Sequence, residues 1–336
     1  MIIQLNNSVT ENQHAALINK LTENKFSINE VNTQLEKYLV CIGKNEIDIR
    51  EIGHMPGIKD VHIVSDSYKL VSKKWKVKDT SIDLGNNVII GKEDPTIMAG
   101  PCSVESEEQI DKIIKHLIDQ DIKIIRGGVF KPRSSPYAFR GLGIDGLKMM
   151  YEKCKPHNIK IITEVMQVSQ IEEMLPFVDV FQVGARNSQN FNLLDALGEV
   201  DKPVLLKRGV SGTIEELLSS AEYVFSKGNE KLILCERGIR TFETAYRNTF
   251  DINAIQVLKE KTHLPVIADP SHGVGIRSFV PKLALSALLS GADGIIYEVH
   301  EKPEEAFSDG QQTLNFMESA KLIEKIKLLY RSSIFN

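Results

Sequence analysis

From residue 96 onward the chain alternates between short apolar runs and longer stretches with helical spacing. The runs are TIMAG (96–100), KIIRG (123–127), KIITE (160–164), VFQVG (180–184), PVLLK (203–207), KLILCE (231–236), PVIAD (265–269) and GIIYE (294–298). Six of these runs are almost continuously hydrophobic, as expected of strands covered on both faces. Between them lie amphipathic segments such as EEQIDKIIKHLIDQ (107–120) and TIEELLSSAEYVFSK (213–227), where apolar positions recur every three or four residues. Eight strand–helix repeats over residues 96–336 predict a closed (β/α)8 TIM barrel, a fold of about 250 residues. The competing architecture is an open doubly wound sheet, and it is weakened because no GxGxxG follows the first run.

Residues 1–65 follow a different rhythm. MIIQL reads as a strand, and TENQHAALINKLTENK as an amphipathic helix with Thr10 as N-cap. SINEVNTQ and KYLVCIG are strand-like, IREIGHMPGI is a short helix, and DVHIVS is a last strand. That order is the split βαβ, ferredoxin-like arrangement of a small α+β domain. Residues 66–80 are polar and basic, as suits a linker, and IDLGNNVIIG (82–91) reads as a hairpin turning at Asn86-Asn87. The predicted organisation is a ferredoxin-like domain at 1–65, a linker and barrel-capping hairpin at 66–95, and the barrel at 96–336.

Composition narrows the function classes. The net charge is −4 with 26% charged residues, so neither nucleic acid nor an anionic membrane is an implied partner. The N-terminus lacks the basic start and apolar core of a signal peptide, and no apolar run is long enough to read as a membrane span. Four cysteines, at 41, 102, 154 and 235, form no CxxC pair. A cytoplasmic, reduced location is expected, with Cys235 assigned to strand packing.

In such a barrel the chemistry lies at the C-terminal strand ends. Those ends carry Cys102, Arg126, Glu164, Arg186, Lys207, Arg237, His272 and Glu298. A cation is costly inside a strand and cheap at its mouth, so Arg126, Arg186, Lys207 and Arg237 point to a multiply anionic small substrate. Strand eight closes against strand one, which brings Cys102, Glu298 and the neighbouring His272 to one side. Thiolate, imidazole and carboxylate form a reasonable shell for a divalent transition metal, with Asp309 available as a fourth ligand. The long loop after the second run adds Lys131, Arg133 and Ser134, stiffened by Pro132 and Pro136. Two anion sites with a metal between them suggest the joining of two phosphorylated molecules at an aldehyde.

Seven motifs then agree in order: AGPCSVES (99–106), RGGVFKPRSSPYAFRGLG (126–143), QVGARNSQN (182–190), VLLKRG (204–209), LCERGIRTF (234–242), DPSHGVG (269–275) and EVHEKPEEAFSDGQQ (298–312). Over roughly residues 66–336 the chain resembles the 3-deoxy-D-arabino-heptulosonate 7-phosphate synthases. More narrowly it resembles the short-barrel subgroup with an N-terminal ferredoxin-like regulatory domain. The resemblance implies condensation of phosphoenolpyruvate with erythrose 4-phosphate, the first step of the shikimate pathway. It implies metal ligation by Cys102, His272, Glu298 and Asp309, and phosphoenolpyruvate binding by Arg126, Lys131, Ala185 through its backbone, Arg186, Lys207 and Arg237. Arg133 and Ser134 would meet the sugar phosphate. Where this chain has Ser134 the family more often has threonine, and the hydroxyl is kept. Lys131 is expected to donate a proton to the aldehyde oxygen and Glu164 to order the attacking water.

The choice among manganese, iron, cobalt and zinc stays open, since this donor set accepts each. Family precedent implies a tyrosine or phenylalanine effector and a homotetramer. An oligomerisation role for residues 1–65, and a barrel serving only as a sensor, are the alternatives. No chemical position has decayed as a sensor would allow. The octulosonate-phosphate synthases share the barrel but typically carry Lys-Ala-Asn-Arg-Ser where this chain has Lys131-Pro132-Arg133-Ser134.

Overall fold

The computed structural model describes residues 1–44, 47–92, 94–131 and 137–331. Strands Ile2–Leu5 (β1), Ser27–Asn32 (β2), Lys37–Ile42 (β3) and Ile58–His62 (β4) form an antiparallel sheet in the order β2-β3-β1-β4. Helices Glu11–Glu23 (α1) and Ile49–Gly53 (α2) complete the expected βαββαβ unit. Thr10 caps α1 in a reciprocal box with Gln13, as the Thr-x-x-Gln spacing allows. The second helix is shorter than its sequence pattern, because Pro56-Gly57 ends it and β4 begins at Ile58.

The sheet is apolar on both faces. Ile3, Leu5, Leu39 and Cys41 pack on Leu17, Leu21 and Ile52 of the two helices. Ile2, Val31, Tyr38 and Val40, of opposite parity, join the main core with the barrel helices. The stretch 66–80 has little regular structure yet buries Tyr68, Leu70, Val71 and Trp75 at this junction.

Eight parallel strands close a barrel: Thr96–Gly100 (β7), Ile124–Arg126 (β8), Lys160–Glu164 (β9), Val180–Val183 (β10), Val204–Lys207 (β11), Leu232–Glu236 (β12), Val266–Ala268 (β13) and Gly294–Glu298 (β14). Closure runs through β14 and β7, with Glu298 opposite Gly100. Period-two alternation explains the unbroken apolar runs. Met98, Ile124, Ile162, Val180, Leu205, Ile233, Cys235, Ile267 and Ile296 fill the barrel interior, while their neighbours pack outward on the helices. Cys235 is thus a packing residue. The hairpin Ile82–Asp83 (β5) and Ile89–Ile90 (β6) plugs the barrel floor with Ile82, Val88 and Ile90. It turns at Asn86 and Asn87, both at positive φ (57° and 62°). Among the described residues no helix is long and apolar enough to cross a membrane.

Candidate active site

The interior parity of the strands dictates the site. Two residues beyond each interior apolar side chain, the next inward position reaches the mouth. Ile124 leads to Arg126, Ile162 to Glu164, Val180 to Gln182 and Leu205 to Lys207. Cys235 leads to Arg237, Ile267 to Asp269 and Ile296 to Glu298. A cavity of about 310 Å³ opens there, within the range of small-molecule sites, and is lined by Arg126, Lys131, Glu164, Arg186, Lys207 and Arg237 among others.

On one side of this cavity, acceptor atoms face one another. Ligand atoms of Cys102, Glu298 and Asp309 lie within 4.8 Å of one another. His272 Nε2 lies 3.3 Å from Glu298 Oε1 and 3.9 Å from Asp309 Oδ2. His272 stands in the short helix Pro270–Val274, capped by Asp269. Its Nδ1 lies 2.8 Å from Asp269 Oδ2, which assigns the proton to Nδ1 and leaves the Nε2 lone pair facing the carboxylates. Burial holds His272 below its ordinary range, favouring this neutral form, although Asp269 and Glu298 oppose the shift. Burial and Glu298 push the Cys102 thiol up to about 12, so it ligates only when a cation displaces its proton. Burial opposes ionisation of Glu298, yet its carboxyl is held below the usual range, with the Arg126 guanidinium in direct contact. Imidazole lone pair, thiol sulfur and two carboxylates converging in this way fit a divalent transition metal.

The cations differ in how they are matched. Arg126 Nη1 meets Glu298 Oε1 at 3.1 Å, and Lys207 Nζ meets Asp269 Oδ2 at 2.5 Å, all four side chains being buried. Lys131 Nζ donates to the Cys102 carbonyl at 3.0 Å and approaches its sulfur at 3.1 Å, so it stands between the acceptor cluster and the cavity. Arg237 is buried, and among the described residues it donates to the Gly238 and His272 carbonyls. Among the described residues Arg186, Arg237 and Arg240 have no carboxylate within 4.0 Å, which leaves their charge available to an anion.

All four expected metal ligands meet, although the tightest group is Cys102, Glu298 and Asp309, with His272 at its edge. Lys131, Glu164, Ala185, Arg126, Arg186, Lys207 and Arg237 line the one cavity. Arg133 and Ser134 lie outside the described residues. Sequence reasoning passed over Gln182, Asp269, Arg240, Arg247 and Asn248, all in or beside the cavity. Strand parity was the signal for Gln182 and Asp269. Arg186 and His272 lie farther out, three and four residues past the ends of their strands.

Comparison with known proteins places this geometry. A family model described as the DAHP synthetase I family matches residues 76–330. The phospho-2-dehydro-3-deoxyheptonate aldolase of Thermotoga maritima is 47% identical over 272 residues, covering 81% of this chain and 80% of that one. A crystal structure of that Thermotoga enzyme superposes with a TM-score of 0.78 at 40% identity, over 98% of this chain and 97% of the other. The 2-dehydro-3-deoxyphosphooctonate aldolase of Francisella philomiragia is 30% identical over 255 residues, covering 69% of this chain and 90% of its own.

Proposed function

The chain belongs to the DAHP synthetase I family and is a transferase-type synthase, and from that premise we propose that it condenses phosphoenolpyruvate with erythrose 4-phosphate and water, giving 3-deoxy-D-arabino-heptulosonate 7-phosphate and phosphate. This is the aldol-type entry step of the shikimate pathway. The observation that carries the reading is one cavity lined by Arg186, Arg237 and Arg240, which have no carboxylate partner among the described residues, and by His272 and Asp309 of the Cys/His/carboxylate cluster, with Lys131 lining it and reaching Cys102. The four-carbon sugar is preferred over arabinose 5-phosphate because identity is 47% to the heptonate enzyme against 30% to the octonate enzyme, and because Lys131-Pro132-Arg133-Ser134 lacks the asparagine typical of the latter.

In this reading Arg126, Lys131, the Ala185 backbone, Arg186, Lys207 and Arg237 hold the phosphate and carboxylate of phosphoenolpyruvate. Arg133 and Ser134 receive the sugar phosphate. Cys102, His272, Glu298 and Asp309 would hold one divalent metal ion, which supplies Lewis-acid polarisation of the aldehyde when bound. C3 of phosphoenolpyruvate attacks that aldehyde, and Lys131 gives a proton to the oxygen as it gains charge. Glu164 orders the water that adds at C2. The resulting hemiketal phosphate breaks its C–O bond and releases phosphate.

We further propose that residues 1–65 are a regulatory domain answering to tyrosine or phenylalanine, that residues 66–95 are linker and hairpin, and that residues 96–336 carry catalysis in a homotetramer. Deleting residues 1–65 should then abolish feedback while keeping activity. A truncated chain that is still inhibited would sink the regulatory assignment.

The reaction is tested by following phosphoenolpyruvate consumption with each aldose, with and without EDTA. Metal-dependent turnover with erythrose 4-phosphate alone is expected. Preference for arabinose 5-phosphate would overturn the substrate assignment, and no turnover with either would favour the sensor.

A further inference from the structure

The two carboxylates of the acceptor cluster each turn one oxygen toward it and one away. Glu298 Oε1 faces His272 and Arg126, whereas Oε2 accepts from Gln312 Nε2 at 2.7 Å. Asp309 Oδ2 lies 3.4 Å from Cys102 Sγ, whereas Oδ1 lies 3.4 Å from Arg247 Nη1. The two outward oxygens are joined, because Arg247 Nη1 also donates to Gln312 Oε1 at 2.7 Å.

This bridge has one orientation. A guanidinium only donates and an ionised carboxylate only accepts, so the Gln312 amide must present its oxygen to Arg247 and its NH2 to Glu298. Gln312 is fully buried, so loss of either partner would leave a buried polar group unsatisfied. Arg247 is held from behind as well. Its amide donates to the Val274 carbonyl, and a Cβ on Gly275 would lie 2.6 Å from its own Cβ. Asp309 sits at φ +53°, a conformation unfavourable for a residue with a Cβ, so its placement depends on such restraints.

We propose that Gln312 and Arg247 form an outer bridge that orients Glu298 and Asp309 for a divalent cation, making cation affinity depend on two residues that do not ligate it. The inference rests on the metal-site reading above. Three anionic ligands around a dication leave surplus negative charge, which the Arg247 guanidinium offsets. Outer partners of metal ligands commonly change affinity by about 10–100-fold.

The test uses full-length, chelator-stripped protein titrated with cobalt(II). Thiolate-to-cobalt absorption reports ligation, and chelator competition reports affinity. Wild type should take up cobalt with the thiolate band, and Cys102→Ser should lose that band. Gln312→Leu and Arg247→Met should keep the band but bind about 10–100-fold more weakly. The double variant should be little worse than either single one, since each breaks the same bridge. Phosphoenolpyruvate affinity of metal-free Gln312→Leu should match wild type. If wild type takes up no cobalt, the metal-site reading fails and the bridge with it. If wild type binds and both variants bind equally tightly, the bridge alone is overturned. Lower melting temperature with unchanged cobalt affinity also overturns it, leaving a stitch between loops. Arg247, with its side chain 35% exposed, carries the test should Gln312→Leu not fold.

Discussion

A Cβ at position 184 would lie 2.0 Å from Glu164 Oε1, so any side chain there would displace that carboxylate. The two residues are neighbours across the paired strands β9 and β10, and the carboxylate occupies the space that glycine leaves open. If Glu164 orders the attacking water, Glu164→Gln should lower kcat by about 10²–10⁴-fold with phosphoenolpyruvate affinity nearly kept. Gly184→Ala should reproduce the loss by displacing the carboxylate. Steady-state kinetics with a direct phosphoenolpyruvate binding measurement separates these effects, and wild-type turnover in Glu164→Gln would dismiss the assignment. Asp269 serves two neighbours at once, since one oxygen accepts from both Lys207 and His272. Asp269→Asn removes the charge matching Lys207 and the acceptor that sets the imidazole tautomer. Cobalt affinity should fall by about 10–100-fold, and phosphoenolpyruvate binding should change with it. A change in only one of the two would show that Asp269 serves a single partner.

At the scale of elements, the chain turns one charge inward and another outward where β11 and β12 end. Lys207 and Arg237 face the cavity, while Arg208 and Glu236 meet behind it at 2.8 Å. Arg208 also reaches Asp251, which caps the helix Ile252–Lys261, and the Gly212 carbonyl. Glu236 accepts from the Gly238 amide at 2.6 Å. The pair therefore anchors both loops that follow these strands, including the one bearing Arg240 and Arg247. Glu236→Ala would leave the Arg208 charge buried with reduced compensation, at a cost of about 3–5 kcal/mol. A melting temperature lowered by roughly 5–10 °C is expected in a thermal scan, and unchanged melting would show the pair to be dispensable. This scale is also where the sequence was most and least legible. A strand buried on both faces must be apolar throughout, so the barrel strands announced themselves, as did the Thr10 cap and the Asn86-Asn87 turn. The cations at strand ends were equally legible because charge is tolerated there. Gln312 and Arg247 were not, because they lie in long loops whose course no periodicity fixes. Their partnership spans 65 residues.

Across the whole molecule, the small sheet is joined to the barrel by a mixed seam. Tyr38, Trp75, Phe225 and His263 stack edge to face in one aromatic cluster, and Thr33 donates to the buried Glu230 at 2.6 Å. No stretch of sequence predicted this seam, because each contributor lies in a different segment and Trp75 sits within a polar, basic stretch. His263 gives the seam a measurable property. Its Nε2 lies 2.9 Å from the Leu70 carbonyl and its Nδ1 2.8 Å from Thr80 Oγ1, so a neutral ring protonated on Nε2 satisfies both. Burial lowers its pKa to about 3, Lys76 adds to the shift, and Asp79 opposes it. The unfolded chain would bind that proton near the ordinary value of about 6.5. Between these values the unfolded state holds more protons, so stability is intact above about pH 6.5 and is lost as pH falls toward 3. The loss attributable to His263 should be on the order of 2–3 kcal/mol by pH 4.5. Carboxylate pairs also weaken in acid, so the informative quantity is the difference from His263→Gln in urea denaturation. Wild type should be the more stable at pH 7, and the gap should close or reverse by pH 4.5. Parallel curves over that interval would mean that His263 takes up its proton without disturbing the seam, and that acid sensitivity originates elsewhere.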